Sequence, residues 1–101
     1  MGLDIVLYDI NQNRMGVFEI SEELHSAIFS PLINWSSYLT LRKLKDYYLT
    51  NVRFDKREIK QLVVEVNIIA KRIDNQFERE IIYVVDRISN SIVYHIHIAG
   101  D

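Results

Sequence analysis

Apolar positions alternate at the start and end of the chain and recur every three to four residues between, which predicts strands at the ends and helices in the middle. Leu3, Ile5 and Leu7 fall on one side of an extended segment 3–10, and Val6, Tyr8 and Ile10 on the other. That strand therefore reads as central and covered on both sides. Asn11-Gln12-Asn13-Arg14-Met15-Gly16 follows as a turn, because Asn and Gly tolerate a positive φ. Val17 to Ile20 returns as a second strand and closes a hairpin.

Ser21 then offers an N-cap, and Glu22 and Glu23 suit the positive end of a helix dipole. The helix would bury Leu24, Ala27 and Ile28, with Phe29 beside them, and stop near Ser30-Pro31. Trp35, Tyr38, Leu39, Leu41, Leu44 and Tyr48 predict a second helix from Trp35 to Leu49, broken at Thr50-Asn51. Asp55 and Glu58 then have the spacing of a capping box, and Phe54 and Ile59 that of a hydrophobic staple. The apolar stripe Ile59, Leu62, Val63, Val66, Ile69, Ala70 and Ile73 carries that helix to about residue 73.

Segment 77–89 reads as a helix, with a strand paired to the last one as the alternative. Its run Ile81-Ile82-Tyr83-Val84-Val85 favours a strand by propensity. Its spacing, the Asp74 or Asn75 cap, the early Glu78 and Glu80 and the late Arg87 favour a helix. Ile92 to Ile98 closes the chain as a strand, with Ile92, Tyr94, Ile96 and Ile98 facing one way and Val93, His95 and His97 the other. The whole describes one α+β domain over residues 1–101. Its small antiparallel sheet, the N-terminal hairpin plus the C-terminal strand, packs against three to four helices.

Composition narrows the class. The apolar fraction of 49% is too high for disorder, and the net charge of −2 gives no global basic field. There are no cysteines, which removes disulfides and thiolate chemistry and suits a reducing compartment. No run reaches the roughly 18 to 20 apolar residues of a membrane helix. Asp4 and Asp9 interrupt the first apolar stretch against a signal peptide, and Val6 breaks the myristoylation pattern opened by Met1-Gly2. A cytoplasmic protein without membrane contact is the expectation.

Catalytic equipment is not legible. Ser21, Ser26, Ser30, Ser36 and Ser37 lie outside any Gly-x-Ser-x-Gly elbow, and three glycines make no phosphate loop. His95 and His97 share a strand face, but a zinc or copper site needs a third ligand, with His25 or an acid brought in by folding. The expectation is no enzyme, no cofactor and no metal.

Charge is distributed by region. Residues 1–34 carry Asp4, Asp9, Glu19, Glu22 and Glu23 against Arg14 alone. Residues 35–60 carry Arg42, Lys43, Lys45, Arg53, Lys56, Arg57 and Lys60 against three acids. Arg53, Lys56 or Arg57, and Lys60 along one helical side, near Tyr47 and Tyr48, would suit a nucleic-acid-associated regulator. The slight acidity of the whole chain weighs against nucleic acid as a partner. The acidic opening instead suits a basic partner, with Asp9, Glu19, Glu22, Glu23, Asp46 and Tyr47 as candidate contacts. The helix dipole and the turn already give several of these acids a structural use.

Three segments resemble a known family: the start Gly2-Leu3-Asp4-Ile5-Val6-Leu7-Tyr8, the junction Phe18-Glu19-Ile20-Ser21-Glu22-Glu23-Leu24-His25, and the close Ala99-Gly100-Asp101. Together they look like small bacterial immunity proteins, the cognate inhibitors of polymorphic toxins, including those of contact-dependent growth inhibition. The resemblance implies a cytoplasmic protein that binds and neutralises one toxin domain, often a nuclease.

Overall fold

A computed structural model describes residues 3–100; Met1-Gly2 and Asp101, which figure in the terminal motifs, lie outside the described residues. The order is β1 (Leu3–Tyr8), β2 (Arg14–Ile20), α1 (Glu22–Ile28), β3 (Asn51–Asp55), α2 (Lys56–Ala70), α3 (Glu78–Ile88) and β4 (His95–Gly100). Short 3-10 turns occupy Trp35–Ser37, Leu41–Leu44 and Asn75–Phe77. This is an α+β fold built on a four-stranded antiparallel sheet of order β2-β1-β4-β3.

Strand β1 is central, between β2 and β4, but it is covered on one face only. Leu3, Ile5 and Leu7 are buried while Asp4, Val6 and Tyr8 are half-exposed. The same side of the sheet receives Phe18 and Ile20 from β2, Ile96 and Ile98 from β4 and Phe54 from β3. Helical residues Leu24, Ile28, Ile59, Leu62, Ile69, Ile81, Val84 and Ile88 close over them in one core. The opposite face stays open to solvent, which is why Asp4, His95 and Arg53 can stand on it.

The hairpin turn departs from expectation in its bounds, since β1 ends at Tyr8 and Arg14, Met15 and Gly16 already belong to β2, and in the residue that carries its positive φ. The positive φ falls on Gln12, at 64°, rather than on an Asn or a Gly. The Asp9 carboxylate accepts from the Asn11 and Asn13 backbone N–H groups, both at 2.9 Å, and this local network holds Gln12 in the left-handed region.

Segment 35–49 corrects the sequence reading. It forms two 3-10 turns, with Tyr38 extended between them, in place of one helix. The cause is Glu65, buried on α2, whose Oε1 accepts from the Thr40 and Leu41 N–H groups at 3.1 and 2.7 Å. A carboxylate that takes those two donors fixes a fresh turn start at Leu41, where a continuous helix would have spent them on earlier carbonyls.

Strand β3 falls where a helix break and cap were expected; its inward Phe54 pairs with Ile96. The capping box is present, with Glu58 N–H on the Asp55 carboxylate at 2.9 Å and Asp55 N–H on Glu58 at 3.2 Å. Helix α2 ends at Ala70, short of Ile73. Segment 77–89 is a helix, with Ile81, Val84 and Ile88 buried on one stripe and Asp74 capping the turn before it. Strand β4 begins three residues later than read. Asn90 holds the Ile92 and Val93 N–H groups, so Val93 turns inward and Ile92 is exposed. No helix among the described residues is long and apolar enough to cross a membrane.

Candidate functional site

Five of the six candidate partner contacts meet at one edge, where β2 runs into α1 and the 44–50 loop folds back on it. Ser21 starts the geometry. Its Oγ accepts from Leu24 N–H at 3.1 Å, as the cap predicts. It also donates to Glu80 of α3 at 2.7 Å, while its own N–H reaches the same carboxylate at 2.8 Å. That second pair of bonds clamps the α1 start to α3 and fixes Glu22 and Glu23 on the outer side of the first turn.

The loop brings the aromatics. Tyr47 donates its hydroxyl to the Ile20 carbonyl at 3.0 Å, tying the loop to the end of β2. Tyr48 is half-exposed and donates to Glu22 at 2.8 Å. Asp46 accepts from the Tyr48 and Leu49 N–H groups at 3.0 and 2.9 Å, so its carboxylate shapes the loop that carries both rings. The two tyrosine rings meet edge to face at 5.3 Å. Leu49, next in the chain, is 80% exposed.

Electrostatics reports the same convergence. Burial pushes the Tyr47 phenol up; a backbone hydrogen bond from Leu3 opposes this, and the charges of Glu19, Glu22 and Glu23 add to the rise. The hydrogen bond to Glu22 pushes the Tyr48 phenol up in the same direction. His25, buried behind them, donates from Nε2 to the Leu44 carbonyl at 2.6 Å. Burial lowers its pKa, against opposing contributions from the Leu44 hydrogen bond and the charges of Asp46 and Glu22. His25 also links two ring contacts, Phe29 at 4.6 Å and Tyr47 at 5.0 Å, so the loop rests on a continuous aromatic support.

Asp9 stands apart. It belongs to the turn beyond Tyr8, whereas the cluster lies at the Leu3–Ile20 end of the hairpin, about 20 Å along the strands. Tyr48 and Leu49 are the contributors that sequence reasoning did not select; the Tyr47-Tyr48 pair was the signal, since one core cannot take both rings.

The remaining candidates are dispersed. Arg53 lies on β3 beside His97 of β4, so it does not share a helical side with Lys56, Arg57 and Lys60. His95 stacks on Tyr8 with centroids 4.6 Å apart, and His97 bonds the Asn51 side chain at 2.6 Å. Among the described residues, no three side chains from histidine, cysteine, aspartate and glutamate stand where they could share a metal. No known protein family, characterised protein or solved structure matches this chain.

Proposed function

We propose that this protein is an immunity-type inhibitor that binds a basic toxin domain, a nuclease being the best fit, and covers its substrate surface. The observation that carries this reading is the meeting of Glu19, Glu22 and Glu23 with Tyr47 and Tyr48 around one loop beside the exposed Leu49. A nuclease presents cations to phosphate, so carboxylates arranged around aromatic anchors match its active surface in charge and in contact chemistry. Opposite charge speeds encounter, and rigid tyrosines supply apolar area at low entropy cost. The resemblance of the chain to immunity proteins points the same way.

Titration calorimetry with a nuclease toxin domain encoded beside this gene, once one is identified there, tests the reading. Tight binding that weakens steeply with salt is expected. The set Glu19→Lys, Glu22→Lys and Glu23→Lys is expected to lower affinity by about a hundredfold or more. Unchanged affinity in that set would overturn the assignment of this edge, and absence of binding by the unaltered protein would overturn the function.

A further inference from the structure

Trp35, the chain's one tryptophan, helps to wall a surface hollow of about 380 Å³. Ser36, Arg42, Lys43 and Lys45 complete the lining. Both 3-10 turns build it. Burial of Leu41 and Leu44 throws Arg42, Lys43 and Lys45 outward on the second turn, and Phe29 holds the half-buried indole edge to face at 5.3 Å. The Arg42 guanidinium reaches back to the Ser36 carbonyl at 3.4 Å, which closes one side.

The three cations are not equivalent. Lys43 pairs with Glu58 at 3.6 Å and lies over Phe54, so it is partly committed to the fold. Arg42 and Lys45 have no carboxylate within ion-pair distance among the described residues. Asp46, next to Lys45, already accepts two backbone N–H groups. An anion entering the hollow therefore meets two available cations beside the Trp35 indole.

We propose that this hollow binds a nucleotide unit of a single-stranded nucleic acid, with the base against Trp35 and its flanking phosphates on Arg42 and Lys45. Stacking on an indole tolerates any base, and an arginine fork matches phosphate oxygens in pairs. The volume is that of a small-ligand site. Local charge prevails over global charge here: residues 35–60 are strongly basic although the chain is slightly acidic. The proposal rests on this hollow alone and is independent of the acidic edge.

A single tryptophan makes the test direct. Octamers of uridylate and of thymidylate are titrated into the full chain at low salt while Trp35 fluorescence is followed. Saturable quenching is expected with either octamer, the stronger of the two naming the source. Affinity should fall with salt at a log–log slope of about −1.4, the value for two phosphates on a single strand. The double variant Arg42→Gln, Lys45→Gln, altered only at exposed positions, should bind about tenfold or more weakly with an unchanged far-UV spectrum. No quenching at millimolar octamer, or equal affinity in the double variant, would overturn the proposal. So would equal quenching by a polyglutamate peptide, which would make the hollow a site for acidic protein segments.

Discussion

The Tyr48 hydroxyl donates to the Glu22 carboxylate at 2.8 Å and thereby fixes an exposed ring of the 44–50 loop to the first turn of α1. Both partners lie at the surface, so the bond contributes little to stability. What it sets is the position of the ring relative to the acidic edge.

The bond is visible in tyrosine titration. Ionising Tyr48 would place a phenolate against a carboxylate, which is why its pKa is raised. In Glu22→Ala the raising hydrogen bond and charge are both gone, so Tyr48 should titrate at lower pH in a phenolate absorbance curve, with Tyr47, which also feels that charge, moving the same way. An unshifted curve would contradict the contact.

Glu65 supports the loop from below. Glu65→Ala leaves the buried Thr40 and Leu41 N–H groups without their acceptor, and strands the Gln61 amide that donates to the same carboxylate at 2.7 Å. Two orphaned backbone donors predict a loss of about 2–4 kcal/mol in urea unfolding, with Glu65→Gln losing less because its carbonyl still accepts.

His25 predicts a pH dependence of definite sign. The unfolded chain takes up its proton near the ordinary value of 6.5, while burial holds the folded value lower. Below 6.5 the unfolded state therefore binds more protons, and stability falls as pH falls through the folded value. Urea midpoints between pH 7.5 and 5.5 should decline, and His25→Gln should flatten the decline. His97 leaves a residual slope of the same sign, its pKa lowered by burial and then by the charges of Arg53 and His95.

Gly100 marks a close approach. A Cβ there would lie 2.3 Å from the Tyr47 carbonyl oxygen and 2.7 Å from the Tyr48 carbonyl, and both neighbours are backbone. Gly100→Ala should cost about 1–3 kcal/mol or more, as overpacking does. It should also push the 44–50 loop outward and weaken binding to the proposed partner. Calorimetric melting beside the binding titration checks both.

Elements whose signals are local can be read along the chain. The Asp55–Glu58 box, the Ser21 cap and the Ile81–Val84–Ile88 stripe are each complete within a few residues, so neighbouring side chains suffice to specify them. Strand β1, by contrast, is apolar on both alternating sides, and only packing shows that one is covered. The acidity of the candidate edge and its Tyr47 were likewise legible from local signals, whereas Tyr48 and Leu49 were not. The other features depend on contacts between distant parts of the chain. Segment 35–49 carries helical spacing, yet a carboxylate from α2 takes the donors of Thr40 and Leu41 and breaks it into turns. Strand β3 has too few apolar residues to announce itself and exists because β4 offers an edge for Phe54 to pair beside Ile96. Glu80 reaches Ser21 across 59 positions, and Glu22 finds Tyr48 across 26. Contacts at such separations depend on the folded core to bring the partners together, which periodicity along the chain does not encode.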